Sequence, residues 1–159
     1  MLNCGKKRFN MFGGVTHLSI DPKSRVAIPA KYREIFDTQF GGRLTATLES
    51  SSCLILYPEQ YWLTVREKIQ NLPNASHPLV KSYQRLVLGY AETIELDKSG
   101  RILLPGSLRD LVKLDKEAVL VGLGNRFELW SKANWLNETE KALEASPDDL
   151  AGLLSGFSL

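Results

Sequence analysis

Thr16, Leu18 and Ile20 alternate with His17 and Ser19 where the patterned part of the chain begins, a period of two that predicts a half-buried strand. A polar turn follows, Asp21-Pro22-Lys23-Ser24-Arg25, and Val26-Ala27-Ile28 returns as a second strand to complete a hairpin. Pro29 suits the first turn of a helix, where a missing N–H is harmless. Tyr32, Ile35 and Phe36, at i, i+3 and i+4, give that helix one apolar face. Gly41-Gly42 ends it, and residues 45–48 and 53–57 form a further strand pair around Ser50-Ser51-Ser52.

The whole series recurs. Asp97-Lys98-Ser99-Gly100-Arg101 repeats the turn 76 residues downstream (97 − 21), followed by Ile102-Leu103-Leu104, Pro105 and the helical set Leu108, Leu111 and Val112. Gly100 takes the left-handed conformation at no steric cost, whereas Ser24 fits it less well. Further on the offset is 73: Leu54-Ile55-Leu56-Tyr57 faces Phe127-Glu128-Leu129-Trp130, and Trp62 faces Trp135. The first copy therefore holds three extra residues (76 − 73). In the second copy residues 118–121 and 126–130 pair around Gly122-Leu123-Gly124-Asn125. We place the copies at 15–62 and 91–135 and read them as an internal duplication. Units of under fifty residues are marginal alone, so the two are expected to share a core.

Between the copies, at 63–90, lies a helical insert. Trp62, Val65, Ile69 and Leu72 step by 3, 4 and 3; after Pro73-Asn74-Ala75-Ser76, Leu79, Tyr83, Leu86 and Tyr90 step by 4, 3 and 4. Residues 136–159 form a helical C-terminal arm. Ser131 caps a helix carrying Leu136 and Leu143, and Ser146-Pro147-Asp148-Asp149 starts a last one with Leu150, Leu153, Leu154 and Phe157. Residues 1–10 have no periodicity and read as a disordered leader ahead of an alternative start at Met11.

Composition adds limits rather than chemistry. With 43% hydrophobic and 24% charged residues the chain has the balance of a soluble globular protein. It shows no membrane-length apolar run and no signal peptide. Cys4 and Cys53 make neither a disulfide framework nor a metal site, which fits the reducing cytoplasm. A net charge of +2 gives no global argument for a polyanion partner. The distribution is uneven: residues 1–43 hold eight Lys/Arg against three Asp/Glu, and residues 134–159 hold Lys141 against five acidic residues. That is +5 at one end and −4 at the other, which suits one face for a polyanion and another kept away from it, and equally suits solvated charge alone.

Catalytic patterns are weak. His17 and His77 have no paired nucleophile, and Gly122-Leu123-Gly124 lacks the third glycine of a dinucleotide loop. Trp62 and Trp135 fit core or interface anchors better than base-stacking platforms. No enzyme activity, cofactor, metal or small-molecule substrate is expected. A single Asp-x-x-x-Arg turn reads equally well as a local ion pair closing a hairpin. Two such turns, each with Lys and Arg and with Arg33 and Arg109 each eight residues past the motif Arg, point instead to a pair of exposed basic tips. Arg offers paired donors to phosphate oxygens and guanine edges, so these tips suit a nucleic acid.

Met11-Phe12-x-Gly14, the motifs Asp21 to Arg25 and Asp97 to Arg101, Gln84-Arg85-Leu86-x-Leu88-Gly89-x-Ala91 and Phe127-Glu128-Leu129-Trp130 together resemble the MraZ family of bacterial transcriptional regulators. The resemblance implies a β-rich α+β fold of two pseudo-symmetric AbrB-like swapped-hairpin repeats forming one interlocked domain. It implies a homo-oligomer closed into a ring, cytoplasmic and nucleoid-associated. Such a ring would bind double-stranded DNA at tandem direct repeats in the promoter of its own cell-division and cell-wall gene cluster, as a repressor. Carried over by motif, the DNA contacts fall on Lys23, Arg25, Lys98 and Arg101, with Arg33 and Arg109 as secondary candidates; Asp21 and Asp97 brace the turns. The alternative is a protein-interaction module of the swapped-hairpin antitoxin type. The leader residues Lys6, Lys7 and Arg8 precede the family's usual start, and Ser24 stands where the family usually has glycine.

Overall fold

A computed structural model describes residues 12–157; the leader at 1–10 lies outside the described residues. The chain runs β1 (Val15–Ser19), β2 (Arg25–Ala27), α1 (Ala30–Phe40), β3 (Arg43–Thr47), β4 (Cys53–Pro58), α2 (Glu59–Gln70) and α3 (Pro78–Gly89). It continues through β5 (Glu92–Glu95), β6 (Arg101–Leu103), α4 (Gly106–Leu111), β7 (Glu117–Gly122), β8 (Phe127–Ser131), α5 (Lys132–Glu144) and α6 (Pro147–Leu153). This is a mixed α+β fold with six helices among the described residues.

Six strands form one antiparallel sheet in the order β1-β7-β8-β4-β3-β5, and β2 pairs with β6 in a separate ladder. Exchanging each strand for its counterpart in the other copy turns that order into its own reverse, so a pseudo-two-fold axis passes between β8 and β4. The first strand of each copy crosses over: β1 pairs with β7 of the second copy, and β5 with β3 of the first.

The return strands cross over as well, which corrects the hairpin expected within each copy. β2 lies against β6 with Val26 opposite Ile102, and only an isolated Ile20–Val26 bridge joins the first copy's outgoing and returning segments. The cause is burial. A three-residue strand has one inward side chain, and pairing each with its counterpart closes both Val26 and Ile102 to 1% exposure. These two seal a single core between the ladder and the inner face of the sheet, lined by Leu44, Leu54, Leu56, Leu120 and Leu129. From the side come Tyr32 and Phe36 of α1 and Leu108 of α4.

Aromatic rings tie the copies together. Phe127 of β8 sits 4.3 Å from Phe12 and 4.9 Å from Tyr32 between ring centroids. Phe12 is fixed there by two backbone hydrogen bonds with Gly124, at 2.8 and 2.7 Å. A glycine is required next to this contact, because a Cβ on Gly122 would lie 2.6 Å from the Gly13 nitrogen.

The outer face of the sheet is covered unequally. Over the first copy, α2 and α3 pack Trp62, Ile69 and Val87 on Ile55 and Tyr57, and Thr47 Oγ1 donates to the Val87 carbonyl at 2.5 Å. Of the stripe expected on α3, Tyr83 and Leu86 pack inward, joined by Val87 and Leu88, whereas Leu79 and Tyr90 are exposed. Over the second copy, α5 alone places Trp135 against Cys53, Val119, Val121 and Trp130. Both Trp62 and Trp135 thus serve as packing anchors. Ser131 caps α5 and Ser146 caps α6, each accepting an N–H with its hydroxyl.

Phe127 makes one core out of two copies, so its truncation should be felt by the whole molecule. Phe127→Ala is expected to cost about 3–5 kcal/mol. Urea unfolding followed by far-UV circular dichroism should show the midpoint falling while a single transition is kept. Two separated transitions would contradict the shared core.

Candidate nucleic-acid interface

Each tip is built by one carboxylate. Asp21 Oδ1 accepts the N–H of Lys23 at 2.9 Å and of Arg25 at 2.8 Å, while Oδ2 accepts Arg25 Nε at 2.7 Å. Asp97 does the same for Ser99 N–H at 2.8 Å, Arg101 N–H at 2.9 Å and Arg101 Nε at 2.9 Å. The main chain closes identically: Ser24 N–H donates to the Asp21 carbonyl and Gly100 N–H to the Asp97 carbonyl, both at 3.0 Å. These bonds favour the charged carboxylate and hold both acids below the ordinary value of 3.8. The largest cause is the backbone N–H of Arg25 for Asp21 and of Arg101 for Asp97; desolvation opposes it, and the remaining donors reinforce it.

Nε of each Arg faces its Asp, which leaves Nη1 and Nη2 without a partner among the described residues. Because Val26 and Ile102 point into the core, Arg25, Ala27, Arg101 and Leu103 share the outward face of the β2–β6 ribbon. Lys23 and Lys98 are exposed on the turns beside it. The ribbon is extended by Ile28 N–H on the Gly100 carbonyl and Leu104 N–H on the Ser24 carbonyl, both 2.9 Å. Ser24 and Ile28 are four residues apart (28 − 24), so the two tips stand about 14 Å from each other at the usual strand rise.

Arg33 and Arg109 are placed differently. Arg33 Nε donates to the Ile28 carbonyl at 2.6 Å, and its side chain lies across Gly100, where an added Cβ would meet Arg33 Cδ at 2.4 Å. Arg109 donates Nε to the Leu114 carbonyl at 3.0 Å, Nη2 to the Asp115 carbonyl at 2.9 Å, and Nη1 to Ser24 Oγ at 2.5 Å. Each copy's helix thus steadies the other copy's tip. The difference between the tips also has a cause. Both Ser24 (φ +63°) and Gly100 (φ +72°) adopt the left-handed conformation, one offering a hydroxyl to Arg109 and the other leaving room for Arg33. Sequence reasoning missed this cross-bracing, although the unmatched Ser and Gly were its visible trace.

Comparisons with known proteins agree on one family. The family model for MraZ protein, described as antitoxin-like, matches residues 11–79 and 87–151. The chain is similar to the transcriptional regulator MraZ of Chromobacterium violaceum, 52% identical over 94% of this chain and 100% of the relative. It is also similar to those of Nitrosomonas europaea, 44% identical over 94% and 100%, and Neisseria gonorrhoeae, 45% identical over 94% and 99%.

Two outcomes follow from the tip geometry. Gly100→Ser should lower the melting temperature by adding a side chain where Arg33 lies, and Arg33→Ala should relieve part of that loss; a double-mutant cycle read by thermal melts measures the coupling. The depressed acids give a signed pH effect. A carboxylate whose folded pKa lies below its unfolded one adds stability that is full above about pH 4 and is lost as pH falls through the folded value. Asp21→Asn with Asp97→Asn should therefore flatten the acid limb of stability below about pH 4, measured as melting temperature against pH.

Proposed function

We propose, for a chain that belongs to the MraZ family, that the β2–β6 ribbon with its two Asp-braced arginines is the DNA-reading element of a transcriptional regulator. The carrying observation is that Arg25 and Arg101 stand on one outward face with their terminal nitrogens free of internal partners among the described residues. A two-stranded ribbon fits the major groove, about 12 Å wide, and the two tips, about 14 Å apart, match that width. Arg25 and Arg101 would donate to base edges or phosphates, and the exposed Lys23 and Lys98 to phosphates. Asp21 and Asp97 keep the two guanidiniums aimed, since a carboxylate facing phosphate would repel it. Arg33 and Arg109 act as cross-braces of the tips rather than as contacts.

The crossing of β1 and β5 into the opposite copy supports the AbrB-like swapped-hairpin reading of the repeats at 15–62 and 91–135. In this reading the protein is not an enzyme. It represses from tandem direct repeats upstream of its own cell-division and cell-wall gene cluster, assembled as a ring in the cytoplasm, on the nucleoid. Each subunit's contact is small, and linkage in a ring raises the effective concentration of the next contact without a strongly basic monomer. The acidic arm at 136–159 faces away from the DNA.

Affinity for the DNA upstream of the protein's own gene should fall steeply with salt, by roughly one unit of log slope per phosphate contact. Arg25→Ala and Arg101→Ala should each reduce that slope, whereas Arg33→Ala should act mainly on the melting temperature. Fluorescence anisotropy across a salt series makes the measurement; an Arg25→Ala protein that folds and keeps the parent slope would sink the assignment.

A further inference from the structure

Strand alternation leaves four side chains on the outward face of the β2–β6 ribbon, and they are not all arginines. The register sets Arg25 directly opposite Leu103 and Ala27 directly opposite Arg101. Each cross-strand row therefore pairs one arginine with one apolar residue. Ala27 and Leu103 stand at the same place in the two copies (103 − 27 = 76), yet they differ in reach. Ala27 ends at its Cβ, whereas Leu103 carries a branched side chain that is 58% exposed.

The core does not use Leu103. Its neighbours Ile102 and Leu104 are the buried ones, and they fill the inner side of the ribbon. On its outer side Leu103 borders an open groove of about 510 Å³, whose other walls include Glu92, Thr93, Glu95 and Pro105. Glu95 is paired with Arg43 at 3.2 Å, and Glu92 is exposed. Carboxylates on that side repel a phosphate backbone, and Leu103 has no donor with which to hold one. What this position can accept from a duplex is therefore uncharged and apolar. Among the base edges of the major groove, thymine is the one that presents such a group, its C5 methyl.

We infer that Leu103 is a specificity-determining residue of the ribbon, packing on the C5 methyl of a thymine near the base pair that Arg25 reaches. Directly opposite residues have Cβ atoms about 5 Å apart and a base-pair step is about 3.4 Å, so this thymine lies within about two steps of the Arg25 contact. Ala27 is too short to give the Arg101 row the same preference. The inference rests on the DNA-reading role of the ribbon proposed above, and it gives one residue a base preference that phosphate contacts cannot supply.

Uracil is thymine without the methyl group, which makes the test direct. Fluorescence anisotropy is measured on duplexes of the DNA upstream of the protein's own gene, with thymines replaced one at a time by deoxyuridine. The parent should bind about fourfold more weakly where the contacted methyl is lost, the worth of one buried methyl group. Leu103→Ala should bind the thymine and uracil duplexes alike, with the parent's melting temperature and salt slope, and Leu103→Met should keep the preference. A parent indifferent to every replacement, while Arg25→Ala still lowers the salt slope, overturns this inference alone. So does a Leu103→Ala protein that keeps the thymine preference, or one that loses salt slope, since Leu103 would then act on the tip and not on a base. An Arg25→Ala protein that folds and keeps the parent slope removes the DNA-reading role of the ribbon as well.

Discussion

Neither copy can complete its own sheet. β1 finds its hydrogen bonds only on β7, and β5 only on β3, so the backbone donors and acceptors of each first strand are satisfied by the other copy. An unpaired strand buried against a core leaves a row of polar groups without partners, which is among the larger penalties a fold can carry. The copies are therefore bound together by main-chain pairing before any side chain is considered, and the Val26–Ile102 contact then seals the core beneath. The β2–β6 ribbon inherits this. A ribbon with one strand from each copy exists only when both halves are in place.

That dependence explains the positions of four arginines that look alike in sequence. Arg25 and Arg101 are each bound within their own turn by an aspartate that takes Nε and leaves the outer nitrogens. Arg33 and Arg109 spend their donors on backbone carbonyls and on the opposite tip. Two arginines are aimed outward and two hold the aim, and the second pair works across the pseudo-two-fold axis. Geometry separates what charge alone could not.

Much of this was legible in the residues. The duplicated turn, the strand alternation, the Pro-led helices and both serine caps follow from local chemistry, and the structure keeps them. The choice of strand partner was not legible, because one inward valine in a three-residue strand is satisfied by any apolar neighbour. The buried stripe of α3 was misread for a related reason. Leu79, Val80, Tyr83, Leu86, Val87 and Leu88 surround much of the helix, and only packing against Ile55 and Tyr57 selects among the stripes. The task of Arg109 was hidden because its partner Ser24 lies 85 residues away.

The unequal tips have one more consequence. A ribbon with perfect two-fold symmetry has no head or tail, and turned end for end it would present the same chemistry to the same groove. Ser24 held by Arg109 at one end, and Gly100 roofed by Arg33 at the other, break that equivalence. The ribbon thereby acquires a direction along whatever it lies on, so successive copies laid in one orientation meet equivalent surroundings only on a target that is itself directional.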